Sequence, residues 1–137
     1  MIQNLFPKIL FGLLVGDYLL QPRNMAIRKS ENSYEGFKYC LFHCILVTFV
    51  SMLFLQMYSM SIICLIFFSH YIIDRHSLAS KWLRLIKGRD FIDEYFSKYK
   101  YRDMHLSFAC IVYIITDNTF HLLILYYGIP FLRRLYG

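Results

Sequence analysis

A long stretch without charge is the feature that most constrains this chain. From Tyr39 to Ile73 the sequence contains no Lys, Arg, Asp or Glu. A membrane-spanning helix needs roughly 20 mostly apolar residues, so this stretch can supply two such helices joined by a tight turn near Gln56 to Ser61. Only 18% of the 137 residues are charged and 58% are hydrophobic, whereas a soluble domain has about 25% charged residues. We therefore expect an integral membrane protein.

Two further apolar stretches flank this one, so the sequence predicts an all-α fold, a four-transmembrane-helix bundle that forms a single domain over residues 1–137. The predicted spans are about 5–20, 39–57, 59–74 and 106–132. Residues 76–103 combine apolar residues at helical spacing with Lys and Arg, which predicts a basic amphipathic loop lying on the membrane surface. Its apolar positions fit two short helices: Leu78, Trp82, Leu85 and Ile86, then Phe91, Ile92, Tyr95, Phe96 and Tyr99.

The distribution of Lys and Arg predicts the orientation, because these residues concentrate in cytoplasmic loops. The segment from Gln21 to Lys38 contains four of them, and the segment from Arg75 to His105 contains eight. With four spans, both basic loops lie on the same side. We predict that this side is the cytoplasm, that both termini lie outside, and that the protein is in the inner membrane. Because this rule accounts for the basic residues, we expect the lipid bilayer as a partner and no nucleic acid.

Gly12 and Gly16 form a GxxxG pair, which is typical of closely packed helices in membranes. The helix that packs against the pair can belong to this chain or to a second copy. Self-association through these glycines, or binding to another membrane protein, is therefore expected as a further partnership.

Polar side chains inside the predicted spans recur at a spacing of four, which places both members of each pair on one face of a helix. The pairs are Asp17 with Gln21, His70 with Asp74, and Asp117 with His121, and His43 begins the second span. Ionisable groups in a span are costly and usually face a protein interior or a wet cavity. All of these lie toward the predicted cytoplasmic ends of their spans, so we expect them to meet in one site that opens to the cytoplasm.

Imidazole and carboxylate groups are ligands of Zn, Mn and Fe. The predicted metal ligands, hereafter the His/Asp cluster, are Asp17, His43, His70, Asp74, Asp117 and His121. Gln21 and Asn118 are predicted to hydrogen-bond the ligands and orient them. A divalent metal in the cluster could activate water for hydrolysis of an ester or phosphate. No local motif such as HExxH is present, so the sequence does not decide whether the protein is an enzyme.

Two other interpretations of the same residues stay open. Each Asp can accept a hydrogen bond from a neighbouring His, which makes the His/Asp cluster a structural polar core, with each bond worth on the order of 1 kcal/mol or less. The protein would then act without catalysis, by binding another membrane protein or lipid. The cluster could also form a proton or ion path, which in a chain with four spans needs an oligomer to make a pore.

The segments GDYLLQPRNMAIRKS, FHCIL, SHYIIDRHSLASKW and TDNTFHLLI occur in this order. Together they resemble the family catalogued as domain of unknown function 3307, small integral membrane proteins of bacteria and their phages. The family pattern resembles GD-x-x-LQ, a His in the next span, H-x-x-x-D-R and DN-x-x-H, and it falls on the predicted site residues and Arg75. The resemblance covers nearly the whole chain and looks closest to phage-encoded members. For such a member, the partner of the non-enzymatic interpretation could belong to the host envelope. The resemblance implies no particular activity.

Overall fold

The computed structural model describes residues 4–88, 93, 95, 96, 98 and 101–136. Its helices are α1 (Leu5–Leu14), a π-helical segment (Val15–Leu19) that continues α1, α2 (Arg23–Arg28), α3 (Tyr34–Leu55), α4 (Met60–Arg75), α5 (Leu78–Lys87) and α6 (Arg102–Tyr136). The described residues contain no strand, and the all-α prediction is confirmed.

Local sequence signals set the ends of the central helices. Before α3, the Oγ of Ser33 accepts a hydrogen bond from the backbone N–H of Gly36 at 3.0 Å, which satisfies one of the free donors of the first turn. After α3, Gln56 adopts a left-handed conformation with φ of 55°, and its N–H bonds the Met52 carbonyl. Because α4 begins at Met60, the connection is the tight turn that the sequence predicted.

Two helices, α3 and α6, are long and apolar enough to cross a membrane. The pair α4 and α5, bent by 53° at the break between them, makes a third if it is counted as one span. The ten residues of α1 and five of the π-helical segment extend about 22 Å, short of the roughly 30 Å hydrocarbon core. Among the described residues there are therefore two to three candidate spans, where the sequence predicted four.

The face of α1 that carries the glycine pair packs against α3 of the same chain. A Cβ added to Gly12 would lie 3.0 Å from the Cα of Ser51, and one added to Gly16 would lie 3.2 Å from the Cα of Val47. Both separations are tighter than most Cβ contacts, so a side chain at either position would require α1 and α3 to shift by a few tenths of an ångström. The pair therefore serves packing within the chain, and self-association of two copies through it stays a prediction.

The outside of the bundle is apolar, whereas a soluble protein keeps its large apolar side chains mostly inside. Residues on α3 such as Phe42 and Phe49 are 61% and 62% exposed. Large apolar side chains are also exposed on α4 and α6: Phe68, Ile72, Phe108, Ile111, Ile115 and Phe131. This surface and the two long apolar helices are typical of a protein that associates with a membrane.

The two ends of the bundle differ in what they bring together. At one end, the Nζ of Lys8 donates to the Oε1 of Gln56 at 3.5 Å, and Met57 and Leu132 line a shared pocket. This end therefore holds the start of α1, the α3–α4 turn and the end of α6. At the opposite end, the guanidinium of Arg75 donates to a backbone carbonyl in the segment that precedes α3.

Within the predicted amphipathic loop, the structure describes α5 and little else. Ala79 and Leu83 of α5 are buried, whereas Trp82, Leu85 and Ile86 are exposed. In the second predicted helix, Tyr95 and Phe96 are exposed, and residues 91, 92 and 99 lie outside the described part of the chain.

Candidate functional site

The six residues of the His/Asp cluster come together at the end of the bundle where Arg75 lies. They project from four elements: Asp17 from the π-helical segment, His43 from α3, His70 and Asp74 from α4, and Asp117 and His121 from α6. The three His and Asp74 are buried, and 9% of the Asp17 side chain and 15% of the Asp117 side chain are exposed. The predicted convergence in one pocket is therefore what the structure shows.

Four donor atoms at the centre of the His/Asp cluster are spaced like the ligands of a metal. The Nε2 of His43 lies 3.0 Å from the Oδ1 of Asp17 and 3.0 Å from the Oδ2 of Asp74. The Nε2 of His70 lies 3.2 Å and 3.6 Å from the same two oxygens. In a tetrahedral zinc site with bonds of 2.0–2.1 Å, the ligand atoms are about 3.3 Å apart. These four separations are close to that value, and they are also hydrogen-bonding distances. Asp74 is not grouped with Asp17 and His43 as ligands of one ion, so the four atoms do not by themselves form one tetrahedral set.

His121 adds a second group of donors beside the first. Its Nε2 lies 3.5 Å from the Oδ1 of Asp74 and 3.8 Å from the Oδ2 of Asp117, and its ring stacks on that of His70 with centroids 3.8 Å apart. Asp17, His43 and His70 form one group whose ligand atoms lie within 4.8 Å of one another, and His70, Asp74 and His121 form another.

Both ring nitrogens of His121 are buried without a hydrogen-bond partner among the described residues. Buried polar atoms in folded proteins are nearly always paired, and a bound water or a metal ion could supply the partner of this imidazole. The imidazole nitrogen is one of the commonest protein ligands of transition metals.

Lys29 belongs to the site, although the sequence indicated only that it is one of the basic residues of the first loop. Its Nζ donates to the Oδ2 of Asp74 at 2.8 Å and lies 3.2 Å from the Nε2 of His43. Burial lowers the pKa of Lys29, but the negative charges of Asp74 and Asp17 outweigh this effect and raise the pKa above its usual value. The side chain is therefore a protonated ammonium inserted at the edge of the His/Asp cluster.

The segment that carries Lys29 is fixed by several contacts. The guanidinium of Arg28 pairs with Glu31 at 3.2 Å, and Arg75 donates to the Glu31 carbonyl. A Cβ at Gly36 would collide with that same carbonyl oxygen, so the start of α3 lies directly against the segment. Lys29 is thus held in position by backbone packing.

Gln21 lies beside the His/Asp cluster, and its amide nitrogen Nε2 lies 3.0 Å from the Nδ1 of His43, so the structure has the nitrogen facing the ring. When its oxygen faces the ring, Nδ1–H donates to it and the Nε2 of His43 keeps a free lone pair for a metal or for Lys29. When its nitrogen faces the ring, the Nε2 of His43 carries the proton and donates to a carboxylate. The orientation of one amide therefore distinguishes the metal-binding form from a metal-free polar core.

Asn118 is not brought to the six ligands. Its Nδ2 donates to the Ile114 carbonyl at 2.8 Å and to the hydroxyl of Tyr18. The amide ties α6 to the π-helical segment.

The π-helical segment determines where Asp17 points. The N–H of Leu20 bonds the carbonyl of Val15 at 3.0 Å, which spans one residue more than a regular α-helical bond. This wider turn carries Asp17 toward His43 and His70. Single π-helical turns inside α-helices occur frequently at functional sites.

The sequence matches the model of the family described as protein of unknown function (DUF3307) over residues 5–129. The chain belongs to this family. No curated protein and no solved structure matches it. The matched range contains every residue of the His/Asp cluster, together with Lys29 and Gln21. The family description assigns no activity, so the residues of the site are the evidence for its chemistry.

The formal charges of the DUF3307 site do not cancel. Three carboxylates face the single ammonium of Lys29, which leaves two negative charges when the imidazoles are neutral. Buried charge is costly unless it is compensated. One divalent cation, or protons on two imidazoles, would balance the pocket.

Proposed function

We propose that this DUF3307 protein binds a divalent transition metal, Zn, Mn or Fe, in the His/Asp cluster and uses it to hydrolyse an ester or phosphate at the membrane. The observation that carries the proposal is that three-residue groups of potential ligands, Asp17, His43 and His70 in one and His70, Asp74 and His121 in the other, each keep their ligand atoms within 4.8 Å of one another. The ring nitrogens of His121, which have no hydrogen-bond partner among the described residues, support it. A divalent cation would also balance the negative charge of the three carboxylates.

The residues of the chain would divide the work as follows. One group of ligands, Asp17, His43 and His70 or His70, Asp74 and His121, would hold the metal. Gln21 would fix the ring of His43 with its amide oxygen turned toward Nδ1. A metal in this position supplies Lewis-acid activation of water. Asp117 is the more exposed carboxylate beside His121 and is placed to accept a proton. Lys29 offers its ammonium to an anionic oxygen of the substrate.

A non-enzymatic membrane interaction protein, bacterial or phage-encoded, is the second candidate, and the ion pair of Lys29 supports it. The ammonium already neutralises Asp74 at 2.8 Å, and His43 and His70 lie within hydrogen-bonding distance of Asp17. A structural polar core would therefore leave only His121 unpaired among the His residues of the His/Asp cluster.

Metal content separates the two candidates. Protein purified in detergent should contain about one transition metal per chain by elemental analysis. After chelation, adding back metal at 100 times its Kd should stabilise the fold by about 2.7 kcal/mol in thermal unfolding. Metal-loaded protein should also cleave chromogenic phosphate or carboxylate esters faster than metal-depleted protein. If no metal copurifies and Zn, Mn and Fe all fail to stabilise the depleted protein, the structural core is the correct interpretation.

We also propose that all four predicted spans cross the inner membrane, with the His/Asp cluster and both basic loops on the cytoplasmic side. The start of α1, the end of α6 and the α3–α4 turn meet at one end of the bundle, which supports an even number of crossings. The short first helix can be accommodated by local thinning of the bilayer. Four Lys and Arg between Gln21 and Lys38, and eight between Arg75 and His105, support the sidedness.

Cysteine labelling in intact cells tests this orientation. Ser30 and Ser59 are both exposed, and they lie at opposite ends of the bundle. A membrane-impermeant maleimide should label Ser59→Cys and should label Ser30→Cys only after the cells are permeabilised. Labelling of Ser30→Cys alone from outside would show that the orientation is the reverse of the one proposed. Labelling of both positions from outside would show that α3, which lies between them, does not cross the membrane.

A further inference from the structure

An apolar groove of about 450 Å³ lies between α5 and α6, beside the end of α4. Its volume falls in the range of small-molecule sites, roughly 300–1,000 Å³. Its walls include Ile73, Trp82, Leu85, Phe120 and Leu123. Among the described residues that line the groove, Lys81 has the one charged side chain.

The groove adjoins the His/Asp cluster. Two of its lining residues, Ile73 and Phe120, directly precede Asp74 and His121 in the sequence. The ring of Phe120 also meets Trp82 edge-on, with centroids 6.1 Å apart, and this contact joins α6 to α5. A molecule in the groove would therefore contact α4 and α6 at the residues that precede Asp74 and His121 in the sequence.

The charge of α5 indicates what the groove accepts. This helix has three exposed basic residues, Lys81, Arg84 and Lys87, and no acidic residue. Basic residues at a membrane surface attract anionic headgroups. An apolar channel with an ammonium at its edge matches an acyl chain attached to a negatively charged headgroup.

We propose that the groove binds one acyl chain of an anionic phospholipid, with the lipid phosphate at Lys81. The evidence for the binding site is the shape and apolar lining of the groove and the positive charge of α5. The role of this lipid as the substrate class presented to the His/Asp cluster rests on the proposed hydrolytic function.

Trp82 makes the proposal directly measurable, because it is the single tryptophan of the chain and lines the groove. Bromine atoms on an acyl chain quench tryptophan fluorescence on contact. The full-length protein would be placed in phosphatidylcholine bilayers containing small amounts of brominated phosphatidylglycerol or brominated phosphatidylcholine. We expect brominated phosphatidylglycerol to reach half-maximal quenching at a mole fraction at least threefold lower.

Two matched variants locate the headgroup. Lys81→Gln should make quenching by the two brominated lipids equal, whereas Lys87→Gln removes a charge from the same helix outside the groove and should keep the preference. Equal quenching in the unmodified protein would show ordinary bilayer contact and overturn the proposal. Equal loss of preference in both variants would show diffuse attraction to the basic helix and would also overturn it.

Repeating the quenching on metal-depleted protein separates this proposal from the metal proposal. A preference for brominated phosphatidylglycerol that survives chelation supports the lipid site even if the His/Asp cluster binds no metal. Metal binding without any lipid preference would leave the metal site in place and overturn the groove as a lipid site.

Discussion

Replacement of Asp74 by Asn is expected to lower the free energy of unfolding by about 3–5 kcal/mol, the usual cost of removing one partner of a buried ion pair. The Asp74 carboxylate lies 2.8 Å from the ammonium of Lys29 and 3.0 Å from the Nε2 of His43. An amide in its place leaves the ammonium buried without its counter-charge. Denaturant-induced unfolding in detergent micelles, followed by circular dichroism, would measure the loss.

A surface carboxylate supplies the matched control for Asp74. Glu35 pairs with Lys38 in the open at the start of α3, so Glu35→Gln should leave the stability close to that of the unmodified protein. Adding Lys29→Met to Asp74→Asn should recover more than half of the loss, because it removes the stranded charge. If Asp74→Asn behaves like Glu35→Gln, the Lys29–Asp74 pair does not hold the site together.

Replacement of His70 by Gln is expected to reduce the copurifying metal from about one per chain to less than about a tenth. His70 belongs to both groups of potential ligands, so its loss weakens each of them. Glutamine keeps a polar side chain of similar reach but offers no imidazole nitrogen. Elemental analysis after gel filtration would give the metal content, and circular dichroism would show that the helices persist.

His76 provides the comparison for His70. It is exposed and lies just beyond the end of α4, outside the His/Asp cluster. His76→Gln should keep the full metal content. Equal metal content in the two variants would place any bound metal elsewhere in the protein. A His70→Gln variant that loses its helices would support the polar-core interpretation.

The convergence of the His/Asp cluster could be predicted because it depends on the spacing of residues along a helix and on their position within the apolar stretches. A spacing of four fixes the face of a helix, and position within an apolar stretch fixes depth. Asn118 shows where the argument fails, since it adjoins Asp117 in sequence but neighbouring helical residues point about 100° apart. Its amide accordingly bonds Tyr18 and Ile114 instead of the ligands.

Lys29 could not be placed from the sequence by the same reasoning. It lies outside every predicted span and follows the short helix α2, which starts after Pro22, so no periodicity connects it with the ligands. The one sequence feature that could have indicated a basic residue in the site is electrostatic, because three carboxylates in apolar surroundings need a positive charge nearby. Several basic residues in the adjoining segment could have met that need, and only the three-dimensional structure selects among them.

The sequence predicted the fold class correctly, but it was a weaker guide to the number of membrane spans. Composition and the uncharged stretch from Tyr39 to Ile73 predict an all-helical membrane protein, and the structure has the helices, with two to three of them long and apolar enough to cross a membrane. The number of spans depends on helix length, and α1 and α4 are both short, at 10 and 16 residues. The π-helical segment could not be predicted either, because one wider helical turn does not change the hydropathy pattern of the sequence.

The close packing of α1 on α3 has a consequence for biogenesis. The first helix is short and carries Asp17, so a translocon would release it into lipid only reluctantly. The first partner to emerge from the ribosome afterwards is α3, which brings His43 to that carboxylate and the surfaces of Val47 and Ser51 to the two glycines. If α1 crosses the membrane as proposed, we expect the two helices to enter the bilayer as a hairpin, with Asp17 meeting His43 before Asp74 and His121 have left the ribosome.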